Sequence, residues 1–159
     1  MRESAGVKMF LLGALVYLLV TFPLAYWWHL VAFKEVYDRL GIFNREEPIV
    51  ALGFLVVLIQ GLLLSHAYPI FRGEGSPLKE GLTFGWMMGL FLWSSQVAAA
   101  AAKHQVSSLT TWFTLETLYF TIQFTLVGLA LGFVYGSRKS PTSAEEGEER
   151  LDKWLTTKS

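Results

Sequence analysis

Glu116 sits in "TWFTLETLYFTIQ" and is the one acidic residue inside any apolar stretch of this chain long enough to cross a bilayer. A carboxylate at that depth is costly against lipid, so it must face protein, pair with a donor or keep its proton. Gln123 follows two helical turns later on a similar face, and Gln60 and Gln96 lie inside other apolar stretches. Together Glu116, Gln123, Gln96 and Gln60 form a candidate polar cluster within the membrane. His29 and His104 end their own apolar stretches at the same side as Glu116, whereas His66 lies toward the opposite side. A His–Glu–His group is the kind used for a proton relay or a metal, and His29 with His104 is the one depth-matched pair for a bis-histidine haem. Three uses stand open, in decreasing weight: a structural hydrogen-bond network around Glu116, a proton or small-solute pathway, and a metal or haem site. His29 follows Tyr26, Trp27 and Trp28, a run that reads first as an aromatic belt with the imidazole at its wet edge and second as a ligand. No nucleophile with its base and no phosphate loop occurs, so no catalytic residues are assigned and no enzyme is expected.

The elements that must position these groups are helices. Of 159 residues 53% are hydrophobic and 16% charged, with a mean hydropathy of +0.42, which is too apolar for a soluble domain of this size. Four stretches, 7–32, 48–68, 81–102 and 109–135, each supply the roughly 20 apolar residues that a hydrocarbon core of about 30 Å demands. The expected fold is all-α: an integral membrane four-helix bundle, antiparallel and up-down, spanning 1–136, followed by a polar cytoplasmic tail over 137–159. The first stretch is longer than a signal-peptide core and no small-x-small cleavage site follows it. Nine Lys/Arg (Arg2, Lys8, Arg72, Lys79, Arg138, Lys139, Arg150, Lys153, Lys158) fall on the side of the termini and four (Lys34, Arg39, Arg45, Lys103) on the other. That asymmetry predicts a multi-pass protein of the inner (plasma) membrane with both termini cytoplasmic. With a net charge of +0 and no basic cluster, nothing recommends a nucleic-acid partner, and none is expected. The absence of cysteine excludes thiolate zinc, iron–sulfur clusters, covalent haem and disulfides, and leaves the redox compartment unread.

The connections carry their own signals. Leu30, Phe33, Val36, Tyr37 and Leu40 recur at helical spacing, with Lys34/Asp38 and Glu35/Arg39 paired on the other face. This predicts a short interfacial amphipathic extension after the first helix, ended by Gly41. Asn44 with Glu47 and Pro48 predicts the start of the second helix, and Ser76-Pro77 that of the third. The 103–108 loop is too short for the last two helices to be anything but antiparallel neighbours. Leu151, Trp154 and Leu155 make an apolar stripe in the tail. Gly81, Gly85 and Gly89, then alanines over 98–102, face the prospect of a second row: Thr117, Thr121, Thr125, Gly128, Gly132 and Gly136. Such small-residue rows let helices approach closely, so the two are expected to meet, though either could receive another subunit.

The aromatic cluster leading into "LVAFKEVYDRLG", together with "TWFTLETLYFTIQFTLVGLALGFVYG", resembles small four-helix bacterial membrane proteins grouped as a domain of unknown function. The likeness spans 13–136, with Glu116 and Tyr119 at the places of that family's acid and tyrosine. It implies fold and location and adds no reaction. The expected role is structural, an accessory subunit or interaction partner of a larger membrane complex. The partners are then the lipid bilayer and other membrane subunits or self-association. The alternative is a small proton-coupled transporter or carrier with Glu116 as the titrating group. Four helices from one copy enclose little room, so such a carrier is expected to be a homo-oligomer. A haem-bearing electron carrier comes third; no other cofactor is expected, and a metal is left undetermined.

Overall fold

The computed structural model describes residues 2–43, 45, 47–73, 75–136 and 154–156, with side chains from residue 6 onward. Every regular element among them is helical: α1 (Arg2–Trp27), a π-helical turn (Trp28–Ala32), α2 (Lys34–Leu40), α3 (Val50–Phe71), α4 (Pro77–Trp93), a second π-helical turn (Ser94–Ala98), α5 (Ala99–Lys103) and α6 (Leu109–Gly136). Three helices are long and apolar enough to cross a membrane: Gly6–Ala32, Val50–Phe71 and Leu109–Gly136. The third expected stretch, 81–102, is divided, since α4 has 17 residues and gives way to the π turn before α5.

Boundaries follow local chemistry. Gly41 ends α2 with φ 71°, a left-handed conformation that glycine adopts without a Cβ clash, as its position predicts. Pro77 opens α4 behind Ser76, where its missing N–H costs no helical bond. Helix α3 starts at Val50, after Ile49 and without a side-chain cap, rather than at Pro48. Asn44, the expected cap, lies outside the described residues, as does most of the tail. Of the tail stripe, Trp154 and Leu155 are described and exposed. Ser108 caps α6 instead, its hydroxyl accepting from the Thr111 N–H at 3.3 Å.

Packing is built on two close seams. Gly81 and Gly85 of α4 lie so near α6 that a Cβ on either would strike the carbonyl oxygens of Gly128 and Phe124 respectively. Gly89 faces the Phe124 ring, and Gly136 faces Pro77. The glycine rows therefore close on each other within one chain, with α4 and α6 antiparallel. The second seam joins α1 to α3: Gly61 approaches the Ala14 carbonyl, and Gly13 leaves room for the Ser65 hydroxyl and the Tyr135 ring. There Ser65 donates to Phe10 O at 2.6 Å, and the Tyr135 hydroxyl donates to Ser65 O at 2.9 Å. Helix α1 also packs on α6, so the order in space is α3, α1, α6, α4, and α3 hardly touches α4 or α6. That missing contact leaves a cleft. Against the first π-helical turn packs α2, whose Tyr37 and Leu40 are buried. The Ser107 N–H and hydroxyl tie it down by donating to Leu40 O at 3.1 Å and Arg39 O at 2.9 Å. These are carbonyls that the end of a helix leaves unsatisfied. The Lys34–Asp38 pair on the outer face of α2, at 2.6 Å, is exposed and contributes little.

Candidate functional site

The site begins with the π turn. The Phe33 N–H bonds to Trp28 O, five residues back, at 3.1 Å, so one extra residue enters the turn and shifts where the following side chains point. The expected belt is thereby split. Tyr26 and Trp27 remain exposed, while Trp28 is buried and His29 turns inward. His29 Nδ1 lies 3.0 Å from Ala25 O, and its Nε2 lies 3.3 Å from Glu116 Oε1. From α2, the Tyr37 hydroxyl donates to the same Glu116 oxygen at 2.6 Å and accepts from Trp28 Nε1 at 3.1 Å. Burial first, and then the Glu116 charge, push the Tyr37 phenol above its ordinary range, so it stays a donor. Glu116 itself is 4% exposed.

Hydrogen-bond inventory determines what this trio holds. A carbonyl only accepts, so the partner of Ala25 O must be a protonated Nδ1. Nε2 then either carries a second proton and donates to an ionised Glu116, or is bare and accepts from a protonated one. A bare Nε2 against an ionised carboxylate would set two acceptors face to face in a buried site. An imidazole 3.3 Å from a carboxylate is an arrangement in which the two can share a proton, which is how a buried carboxylate avoids the cost of an isolated charge.

Beside this pair opens a side-open cavity of about 520 Å³. It fills the cleft left where α3 stands away from α4 and α6. Its polar lining is Thr21, His29, Gln60, Gln96, Glu116 and Gln123, with Arg45 at the rim. Gln60 Oε1 accepts from the Tyr17 hydroxyl at 3.0 Å, and Gln123 Nε2 donates to Thr21 Oγ1 at 3.3 Å. The four residues expected to form a polar cluster thus share one cavity. They meet around open space more than through bonds to one another.

Compared with protein-family models, curated proteins and solved structures, this chain matches none. The likeness to small four-helix bacterial membrane proteins therefore rests only on the residues that suggested it.

The expected His–Glu–His group does not form. Among the described residues no three His, Cys, Asp or Glu side chains lie close enough to hold a metal ion. His104 ends α5 as an exposed residue in extended backbone, bonded to neither His29 nor Glu116. A bis-histidine haem needs both imidazoles on one iron, and His29 is already engaged by Ala25 and Glu116. His66 packs edge-on against Phe10, ring centroids 6.5 Å apart. What sequence reading missed is Tyr37, Trp28, Thr21 and Arg45. Only Tyr37 carried any signal, as an apolar-face position of the amphipathic piece, and that pattern does not distinguish a core phenol from one bonded to a carboxylate.

Proposed function

We propose that this chain is a proton-coupled binding protein or carrier of the membrane, with Glu116 and His29 as the proton-holding pair and the adjoining cavity as the solute site. The observation that carries this reading is the position of a buried carboxylate, bonded to an imidazole and a phenol, on the wall of a cavity large enough for a small molecule. The membrane is crossed four times, with α4, the second π turn and α5 together making the third crossing. Lys/Arg placement puts both termini in the cytoplasm and the Glu116 pair toward the outer face. Because one chain holds the cavity, this role no longer requires a homo-oligomer. An accessory-subunit role is the second reading: the glycines of the small-residue rows are packed against the facing helix, while Thr117 and Thr121 stay exposed.

The test is reconstitution into vesicles enclosing a pH-sensitive dye, followed by an acid step outside. Wild type should acidify the lumen faster than empty vesicles, and Glu116→Gln should return to the empty-vesicle rate while keeping its helical circular dichroism. Equal rates for folded wild type and Glu116→Gln, or for wild type and empty vesicles, would overturn the proton role.

A further inference from the structure

The cavity is open along its side. Ile49, just before α3, and Leu52 and Val56 within it line the cavity and are nonetheless 50%, 53% and 45% exposed. Across the gap Gln96 also both lines the cavity and is exposed. Since α3 hardly touches α4, the described residues leave the interval between them open. In a bilayer that interval faces hydrocarbon, so a guest can arrive from the membrane without crossing water.

The lining defines the guest's chemistry. Gln60 has its carbonyl taken by Tyr17, and its amide N–H groups find no partner among the described residues. The side chain of Gln96 finds none either. These two amides offer free donors beside the apolar side chains of α3, and a guest that brings an acceptor can use both. Charge gives a second restriction. The one cation in the lining, Arg45, is exposed at the rim, and the inner His29 and Glu116 are bonded to each other, so neither faces a charged head at Gln60 and Gln96. Residues from Ile49 to Val57 then supply an apolar track leading outward.

We infer that the cavity takes an uncharged, membrane-dissolved amphiphile, whose carbonyl or hydroxyl head accepts hydrogen bonds from Gln60 and Gln96 and whose tail leaves between α3 and α4. This rests on the reading of the cavity as the working site. Gly53 offers the means to test it: it lines the cavity, yet a Cβ there meets nothing within 4 Å. Gly53→Trp therefore adds bulk at the cavity lining where the Cβ has open space.

The probe is a monoacylglycerol bearing a diazirine near its ester, mixed into vesicles holding the full-length protein, photolysed and mapped by peptide mass spectrometry. Wild type should carry label on Glu116 or Gln123 as well as on bilayer-facing positions such as Phe91. Gly53→Trp should lower the interior label about tenfold and leave that at Phe91 unchanged. Gly53→Ala should label like wild type, and Gln60→Leu, which removes the donor without emptying its space, should lower interior label as Gly53→Trp does. The inference is overturned if label stays confined to bilayer-facing positions, if Gly53→Trp and Gln60→Leu both leave interior label unchanged, or if glycerol competes as well as the monoacylglycerol. Glu116-dependent proton flux without interior label refutes the amphiphile alone. Interior label with flux indifferent to Glu116→Gln refutes the proton role and leaves the guest.

Discussion

Tyr37→Phe removes one hydroxyl and almost no volume, so its effect reports hydrogen bonding with little contribution from packing. Tyr37 is 2% exposed and donates to Glu116 at 2.6 Å. A bond to a charged partner contributes about 1.5–3 kcal/mol net. The hydroxyl also accepts from the Trp28 indole, whose N–H would be left without a partner in a residue 5% exposed. That adds roughly 1–3 kcal/mol before relaxation. Hydrogen bonds between membrane helices average only about 0.6 kcal/mol, because the unfolded chain in lipid finds other partners. Here the bond joins α2 to a carboxylate, and the loss is expected at about 2–4 kcal/mol. Unfolding in mixed micelles with increasing dodecyl sulfate, followed by circular dichroism, measures it. Combined with Glu116→Gln, the pair should show a coupling of about 1 kcal/mol or more. A Tyr37→Phe effect within about 0.5 kcal/mol, the range of exposed substitutions, would refute the buried trio. So would strict additivity with Glu116→Gln.

Two glycines should respond with opposite sign in the same titration. Gly81→Ala places a Cβ against Gly128 O and 2.8 Å from Gly132 Cα, backbone that cannot swing away, and should cost about 1–3 kcal/mol. Gly53→Ala meets open space and should be neutral or stabilising by up to about 1 kcal/mol through helix propensity. The raised Tyr37 phenol makes stability fall on the alkaline side: the unfolded tyrosine ionises near about pH 10, while the folded one keeps its proton. Its contribution is therefore complete below about pH 10 and is lost as pH rises beyond that. Wild type should lose more stability between about pH 9 and pH 11 than Tyr37→Phe, and equal losses would exclude a buried phenol.

Signals that run along the chain were legible before folding. Apolar length, the glycine rows at every fourth position, Gly41 as a stop and Ser76-Pro77 as a start are local or strictly periodic, and a helix turns such a period directly into a face. The depth of Glu116 followed from counting, because helical rise converts residue number into distance. The pairing of His29 with His104 could not be judged in the same way. Depth matching places residues at one level but does not say which way they face.

Composition and periodicity by themselves determined an all-α chain with membrane-crossing helices and an acid buried among them, since hydrophobic length and backbone hydrogen bonding leave few other solutions. Only the tertiary structure decided that His29, rather than His104, meets Glu116 across 87 positions of sequence. His29 lies in a π turn whose own five residues, WHLVA, hold neither glycine nor proline. The cavity likewise belongs to no segment. It exists because α3 packs on α1 and stands away from α4 and α6. Which helices fail to touch is a property of the whole packing and of no residue within it.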